Sequence, residues 1–366
     1  MVTADGKLKC FNDLEHVARG RSRRAVQGSR RRRAAAWRAS PTGWGTFSRR
    51  SSWVLTAWFG VTIQWWSRRI LLSTMHPIVN GLSDAGRARS MSKSRIGVCS
   101  WSLEPASGRE LIDALGRLGI GTVQLALNPI IEGRPGWRRA IDELRDAGVD
   151  IASGMIAMAG EDYSTLESIR RTGGVRLHET WLANRRRVEA AAGLVAASGI
   201  GLVTFHAGFL PPGKKDPDRG VMLDRLRMIA DLCAARDVSI GLETGQETAE
   251  TLAAYLQELD RPNVGVNFDP ANMILYGIQQ PLEALGRLSP HVRQVHIKDA
   301  LPAQRPGLWG KEVRVGAGAV NWDAFFVTAL AIRPPVDFVI EREAGRTREA
   351  DIAAARDLIS GYVPKK

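Results

Sequence analysis

The chain has 366 residues and a formal net charge of +13, a value that alone would favour a nucleic-acid-binding protein. The charge is unevenly distributed, because residues 1–90 contain 17 Lys and Arg against 4 Asp and Glu, whereas residues 91–366 contain 34 of each. The second part is neutral and long enough for a large α/β domain, which excludes disordered, collagen-like and mini-protein classes for it. Three widely spaced cysteines give neither a disulfide framework nor a cysteine zinc site, so we expect a cytoplasmic protein.

Residues 1–90 differ from the rest in composition and hold six of the eleven tryptophans. Their apolar run, 53–66, lies between two Arg pairs and is shorter than the roughly 20 residues that span a bilayer. Three functional interpretations are a secretory signal, an arginine-rich RNA-binding arm and a membrane-surface segment. No helical or strand period holds over the segment, so we expect an unstructured tail or a start-site artefact, with the folded domain at 91–366.

From residue 95 onward, short apolar runs alternate with amphipathic stretches, which is the pattern of strands followed by helices. Ser107 and Glu110 form a capping-box sequence that opens the first predicted helix. Eight strands are predicted, at 95–101, 122–127, 151–158, 202–206, 239–243, 264–269, 292–297 and 338–341. Eight such units with continuously apolar strands predict a closed (β/α)8 TIM barrel. The alternative, an open doubly wound sheet, normally has a glycine-rich turn after its first strand, which residues 99–104 do not provide.

Five successive predicted strands end in ionisable side chains, at the barrel face where active sites form. In strand order these are His206, Glu243, Asp269, His296 and Glu341. Burying them after apolar runs costs free energy unless they share a ligand. Three carboxylates and one imidazole suit a single divalent metal ion, with Mn²⁺ the first choice and Mg²⁺, Co²⁺ or Zn²⁺ also compatible. The alternative is a network of helix caps and salt bridges at the barrel rim.

With these motifs, residues 94–362 resemble the sugar phosphate isomerase/epimerase family of xylose isomerase-like TIM barrels. The resemblance implies that Glu243, Asp269, His296 and Glu341 bind a divalent metal ion. It also implies that Glu243 and Glu341 are the catalytic acid/base pair. Glu343 lies on the same face as Glu341 and is an alternative ligand, but Glu341 directly follows the apolar run.

The same barrel occurs in endonuclease IV-like DNA-repair enzymes, which use three zinc ions bound by additional histidines. Here Asn272 stands where those enzymes have a histidine, and the loop 310–316 lacks their Asp-x-His sequence. Too few ligands remain for three metals, and the neutral domain has no surplus of basic residues for phosphates. We therefore expect no nucleic-acid partner and no membrane partner.

Five further residues are candidate substrate contacts, each with a structural alternative. His206 would contact substrate, bind metal or hold Glu243, and Lys298 would stabilise an oxyanion or pair with Asp299. Trp101 would stack on a sugar or pack at the barrel top. Asn272 and Gln124 replace acidic or histidine residues of many relatives, which makes the pocket less acidic than in the usual ketose epimerases.

The resemblance implies a metal-dependent sugar or sugar-phosphate isomerase or epimerase that removes a proton next to a carbonyl and passes through an enediolate. A lyase of the inosose-dehydratase or 3-keto-glycoside type shares this first step and is the first alternative. A non-catalytic barrel is the second alternative. The expected partner is a small sugar or keto-sugar. The sequence gives no indication of which sugar it is or whether it is phosphorylated, and it leaves homo-oligomer formation open.

Overall fold

A computed structural model of the chain describes residues 95–363. Eight parallel strands close into a barrel in the order β1-β2-β3-β4-β5-β6-β7-β10, which confirms the predicted TIM-barrel class. The strands are β1 (Ile96–Cys99), β2 (Thr122–Ala126), β3 (Asp150–Met155), β4 (Leu202–Phe205), β5 (Ser239–Glu243), β6 (Val264–Phe268), β7 (Val292–Ile297) and β10 (Asp337–Ile340). Each predicted strand overlaps one of these. The expectations for residues 1–90 lie outside the described residues, so the domain boundary at Met91 stays a prediction.

Helices surround the barrel and cover its outer face. They are α1 (Gly108–Leu118), α2 (Asn128–Ile131), α3 (Ala140–Asp146), α4 (Leu166–Thr172), α5 (His178–Ala197), α6 (Pro217–Ala234), α7 (Ala249–Leu259), α8 (Pro270–Leu275), α9 (Pro281–Leu288), α10 (Trp322–Ala329) and α11 (Arg348–Ile359). Single 3₁₀ turns occupy Ser100–Leu103 and Ser289–His291. Within residues 95–363, no helix combines the length and apolar character needed to cross a membrane.

The predicted amphipathic faces are the faces that pack against the barrel. In α7 the residues at i, i+3, i+4 and i+7 are buried, namely Leu252, Tyr255, Leu256 and Leu259. In α1, Ser107 accepts a hydrogen bond from the backbone N–H of Glu110, as a capping box requires. The Glu110 carboxylate, however, accepts from the N–H of Ala106 instead of that of Ser107.

Three features of the loops differ from the sequence expectation. Between β2 and β3 the sequence predicts one helix, near 135–147, which corresponds to α3 but begins only at Ala140; the short helix α2 precedes it, and Gly133 and Gly136 lie between the two with positive φ angles. The polar stretch before α5 contains α4, whose first turn is capped reciprocally by Thr165 and Ser168. After β7 the chain forms an antiparallel hairpin from β8 (Asp299–Leu301) and β9 (Lys311–Val313). All three lie at the same end of the barrel as the strand ends that carry ionisable residues.

Two glycines allow close contact between the loops after β3 and β4. Gly208 has φ 89° and Gly174 has φ 64°, angles that residues with a Cβ rarely adopt. A Cβ added at Gly208 would overlap the carbonyl oxygen of Gly173, and one at Gly174 would overlap that of Ala207. This contact fixes the segment that directly follows His206.

Replacement of Gly208 by alanine should therefore lower the free energy of unfolding by about 2 kcal/mol or more, measured by urea denaturation. The matched control is Gly193→Ala, at an exposed position inside α5 where an added Cβ meets nothing within 4 Å. That substitution should leave stability unchanged or raise it by up to about 1 kcal/mol. Equal stability of the Gly208→Ala and wild-type proteins would contradict the packing described for this loop.

Candidate active site

Four ionisable side chains meet at the carboxyl-terminal end of the barrel. Glu243 ends β5, His296 lies in β7, and Asp269 and Glu341 directly follow β6 and β10. All four are buried, with at most 4% of each residue exposed. Their potential ligand atoms lie within 4.8 Å of one another, so this group could hold a metal ion.

His296 turns its two ring nitrogens in opposite directions. Nδ1 faces the carboxylates, at 3.4 Å from Glu341 Oε2, 3.5 Å from Glu243 Oε1 and 3.8 Å from Asp269 Oδ2. Nε2 lies 2.7 Å from Oε1 of Gln124, an amide oxygen that can only accept, and 3.0 Å from Nδ2 of Asn267, an amide nitrogen that can only donate. The contact with Gln124 is the shorter of the two, and Asn267 also donates to Glu243, so we assign the proton of the neutral ring to Nε2. In a neutral imidazole the lone pair is then on Nδ1, where it faces the three carboxylates.

A layer of buried amides and hydroxyls lies beneath the carboxylates and holds them in place. Gln124 donates to Thr204 Oγ1 at 2.8 Å, which turns its amide oxygen toward His296. Asn267 donates to Glu243 Oε2 at 3.3 Å and accepts from Gln294, which in turn accepts from Ser153. These contacts fix the ring of His296 and the carboxylate of Glu243 from below.

Two buried polar atoms at the centre of the group have no hydrogen-bond partner among residues 95–363. They are His296 Nδ1 and Asp269 Oδ2. The other oxygen of Asp269 accepts from the N–H groups of Ala271 and Asn272, which caps α8. An unsatisfied buried polar atom costs roughly 1–3 kcal/mol. A cation between these two atoms would satisfy both, so the residues present fit a divalent metal ion.

Lys298 adds an ammonium group on the other side of Glu341. Its Nζ donates to Glu341 Oε2 at 2.9 Å and to Glu343 Oε2 at 2.8 Å, and it lies 3.8 Å from Asp269 Oδ2. The alternative pairing with Asp299 is wrong. The Asp299 carboxylate instead accepts hydrogen bonds from groups in the segment after β9, namely the N–H groups of Gly316, Gly318 and Val320 and the indole of Trp322.

The electrostatic environment keeps the two glutamates ionised. Burial raises the pKa of Glu243, but His206 and His296 outweigh it and the net shift is downward. Burial likewise raises the pKa of Glu341, but Lys298 and His296 outweigh it and hold the pKa well below its usual range. For Asp269 burial prevails over Lys298, and the pKa is raised.

The two cationic groups respond to the same carboxylates. Burial lowers the pKa of Lys298, but the facing carboxylates, Glu341 first among them, outweigh burial and keep the lysine charged. Burial also lowers the pKa of His296, but the facing carboxylates of Glu243, Glu341 and Asp269 outweigh it and the net shift is upward. Positive charge at Nδ1 is therefore favoured, and either a proton or a metal ion can supply it.

A cavity of about 430 Å³ opens above these residues, a size typical of small-molecule sites. Its inner wall is formed by Glu243, Glu341 and Lys298 together with Asn272 and His206. Trp101 also lines it and donates its indole N–H to Glu341 Oε1 at 2.8 Å. The carboxylates of both predicted catalytic residues therefore reach the space that a substrate would occupy.

The predicted substrate contacts divide into two groups. Trp101, Asn272, His206 and Lys298 line the cavity, and Asn272 donates to Glu243 Oε1 at 3.1 Å. His206 Nε2 lies 3.5 Å from the same oxygen, so it both faces the cavity and supports Glu243. Gln124 differs, because it is fully buried below His296. Its position favours holding His296 over touching a substrate.

Several residues of the site are absent from the sequence-based prediction. Tyr163, Tyr276 and Glu161 line the cavity from loops and helix ends, where no periodicity marks them. The buried Thr204, Asn267 and Gln294 could have been found, because each is a polar residue inside an otherwise apolar strand. That pattern predicts a partner inside the barrel.

Glu247 lies beside this site in a second, smaller pocket that His206 and Glu161 also line. It is 7% exposed and accepts a hydrogen bond from the N–H of Gly245 at 3.3 Å. Burial raises the pKa of Glu247 from 4.5 to about 7. The folded protein therefore binds this proton more tightly than the unfolded chain does. The contribution of Glu247 to stability is then lost as the pH rises from 4.5, its ordinary pKa, to about 7, its pKa in the folded protein.

Replacement of Glu247 by glutamine removes this titration. The free energy of unfolding of the variant, minus that of wild type, should be about 2–3 kcal/mol larger at about pH 8 than at about pH 5. The reason is that the variant has no buried negative charge at the higher pH. Urea denaturation of both proteins at the two pH values measures this difference. A relative stability that is the same at both pH values would contradict a raised pKa for Glu247.

Similarity to known proteins agrees with the fold. The structure resembles that of a xylose isomerase domain protein from Planctomyces limnophilus, with 30% sequence identity, a TM-score of 0.65, and coverage of 74% of this chain and 96% of that one. At 17% identity and a TM-score of 0.57 it resembles the probable 3-DHS dehydratase AsbF from Bacillus anthracis, covering 73% of this chain and 98% of that one. The 3-keto-D-glucoside 4-epimerase YcjR from E. coli has the same identity and TM-score, with coverage of 72% and 100%. The last two similarities show the fold alone.

Among curated sequences, the uncharacterized protein YihM of Escherichia coli strain K12 is 26% identical in an alignment of 186 residues that covers 44% of this chain. The match spans about half, 52%, of that relative's length. The family model of the xylose isomerase-like TIM barrel matches residues 112–361, which is more than half of the chain and includes all four clustered residues. The chain therefore belongs to the xylose isomerase-like TIM barrel family.

Proposed function

We propose that the protein is a divalent-metal-dependent sugar or sugar-phosphate isomerase or epimerase that transfers protons next to a carbonyl through an enediolate. The observation that carries the proposal is the buried group of Glu243, Asp269, His296 and Glu341, with two unsatisfied atoms at its centre. Proton removal next to a carbonyl needs a positioned base and stabilisation of the negative charge that develops on oxygen. Residues of this group would supply the base and would hold the cation that stabilises the developing charge.

The residues that would hold the cation are Glu243, Asp269, His296 and Glu341, with Mn²⁺ the first choice and Mg²⁺, Co²⁺ or Zn²⁺ compatible with the same ligands. A divalent cation bound there supplies positive charge where an enediolate develops negative charge. The hydrogen bond from His296 Nε2 to Gln124 supports this assignment, because it reserves Nδ1 as the ligand atom.

Glu243 and Glu341 are the proposed proton-transfer residues. They lie on strands β5 and β10, with β6 and β7 between them in the barrel wall, so they flank the ligands Asp269 and His296. Both line the cavity and both have lowered pKa values, so either can act as a base on a sugar bound between them. A proton removed by one glutamate can be returned from the side of the other.

Lys298 supplies what the second glutamate lacks. An ionised carboxylate must gain a proton before it can donate one, and Lys298 Nζ lies 2.9 Å from Glu341 Oε2. Because the pKa of Lys298 is raised and that of Glu341 is lowered, the proton stays on the ammonium group, which can donate it to the substrate beside Glu341 or stabilise an oxyanion of the substrate. This arrangement favours Glu341 and Lys298 as the donor side and Glu243 as the base.

A lyase or dehydratase is the second candidate, and one observation favours it. Lys298 donates a second hydrogen bond to Glu343, and this ion pair lines the cavity beside Glu341. Such a pair could protonate a leaving hydroxyl or glycosyl oxygen after the first proton is removed. The shared fold with a dehydratase is compatible with this outcome, although the first step is the same for both functions.

Proton exchange with solvent tests the proposal. In D₂O with Mn²⁺, the wild-type protein should introduce deuterium next to the carbonyl of at least one ketose, keto-sugar or sugar phosphate in a panel followed by NMR. Glu243→Gln and Glu341→Gln should each slow this exchange by about 10²–10⁴-fold, because each removes a proton-transfer group. Exchange without net consumption of the sugar indicates an epimerase or isomerase, and loss of water or of a glycosyl group indicates a lyase.

The matched control is Glu349→Gln, which makes the same change at an exposed position on α11, where Glu349 pairs with Arg117. It should exchange deuterium at the wild-type rate. The proposal fails if the Mn²⁺-loaded wild-type protein exchanges no proton of any sugar in the panel. It also fails if both glutamine variants retain the wild-type rate.

A further inference from the structure

The cavity extends from the acidic group to a basic one on the opposite side of the barrel. The ligand group lies at the ends of β5, β6, β7 and β10, whereas Arg134 follows α2 and Arg187 lies on α5, beside the ends of β2 and β3. In the closed strand order, β2 lies across the barrel from β6 and β3 lies across from β7. One continuous cavity is lined by residues of both sides.

The basic group consists of Arg134 and Arg187 with Glu132 between them, and we call it the outer basic group. Arg134 donates to Glu132 Oε2 at 2.7 Å through Nη2 and at 2.9 Å through Nε, and Arg187 donates to Glu132 Oε1 at a longer 3.4 Å. Two guanidinium groups and one carboxylate leave a net charge of +1. The side chains of Arg134 and Arg187 are 35% and 22% exposed, so they remain accessible to a ligand in the cavity.

The guanidinium of Arg187 is held in position at the cavity wall. Its Nη1 donates to the carbonyl oxygen of Ala157 at 2.8 Å. The backbone of Ala157 is fixed by Asn128, which donates to that oxygen at 3.1 Å and accepts from the Ala157 N–H at 2.9 Å. Arg187 thus makes two hydrogen bonds to described residues, one to Ala157 and one to Glu132. The guanidinium group has five N–H donors, so donors remain for a ligand.

The two ends of the cavity select opposite charges. On the wall of the inner end three carboxylates, those of Glu243, Glu341 and Glu343, outnumber the one ammonium group of Lys298, which is already paired with two of them, so this end disfavours a phosphate or carboxylate. The outer basic group attracts one, and arginine's planar set of donors matches the oxygens of phosphate or carboxylate. The N–H groups of Gly316 and Gly318, another potential anion site, are already bonded to Asp299.

From this geometry we infer that the outer basic group binds the anionic terminus of the substrate, a phosphate or carboxylate, while the carbonyl end lies against Glu243 and Glu341. The placement of the carbonyl end rests on the proposed function, whereas anion binding by Arg134 and Arg187 does not. The substrate class is then a keto-sugar with a phosphate or carboxylate at the end remote from the reacting carbons. Neutral free sugars would lack half of this recognition.

Equilibrium binding of inorganic phosphate tests the anion site without any assumption about catalysis. By calorimetry, phosphate should bind the wild-type protein at one site, and Arg187→Gln should weaken binding about tenfold or more because it removes one charged donor group. Arg187→Lys keeps the charge without the planar donors and should lose less. The control is Arg186→Gln, at an exposed neighbouring position on α5, which should bind as wild type does. Phosphate binding that is absent, or that Arg187→Gln leaves unchanged, would overturn the inference.

Three sugars with the same carbon skeleton distinguish the anion and separate this inference from the proposed function. D-fructose, D-fructose 6-phosphate and D-fructuronate carry a hydroxyl, a phosphate and a carboxylate at the last carbon. Each is tested for displacement of phosphate from the protein and for deuterium exchange in D₂O. We expect the two charged sugars to bind at least about tenfold more tightly than D-fructose, and Arg187→Gln to abolish that preference. The charged sugar that binds more tightly identifies the anion.

Equal binding of all three sugars would overturn the inference even if exchange occurs. Preferential binding without exchange of these sugars or of the wider panel would support the anion site and reject the isomerase proposal.

Discussion

Three carboxylates face one imidazole nitrogen in the mouth of this barrel, with all the potential ligand atoms within 4.8 Å of one another and shielded from water. Like charges at this separation in a poorly solvated site repel strongly, and the barrel strands hold the four residues together. The site therefore depends on positive charge at its centre. Lys298 provides one such charge beside Glu341, and a cation bound by the unsatisfied atoms His296 Nδ1 and Asp269 Oδ2 would provide another.

Much of the surrounding structure serves to keep these groups in register. The amide of Gln124 selects the protonated nitrogen of His296, Asn267 and Asn272 hold the two oxygens of Glu243, and the start of α8 holds one oxygen of Asp269. Polar groups buried under a reaction centre are costly unless each has a partner, and here they partner one another across five strands. This layer therefore orients the four clustered residues in advance, which in an active site would be the condition for electrostatic stabilisation of a developing charge.

Sequence periodicity predicted the barrel and the four clustered residues for a common physical reason. Parallel strands are buried on both faces, so a charged residue that directly ends an apolar run, such as Glu243 or Glu341, stands out against its neighbours. The contacts of Lys298 and Gln124 were not predictable, because a residue's position along its own strand does not show which side chain from another strand comes within reach. The outer basic group was missed for a related reason: Arg134 and Arg187 lie in a loop and on a mostly solvated helix, where arginine is ordinary.

The central claim, that the buried group binds one divalent cation through His296 Nδ1, is tested most directly by crystallography of the Mn²⁺-soaked protein with anomalous scattering at the manganese edge. We predict one peak, about 2.0–2.3 Å from Nδ1 and from one oxygen each of Glu243, Asp269 and Glu341. The structure should retain the hydrogen bond from His296 Nε2 to Gln124. No peak at this position, or a manganese ion bound to Nε2 instead, would contradict the account.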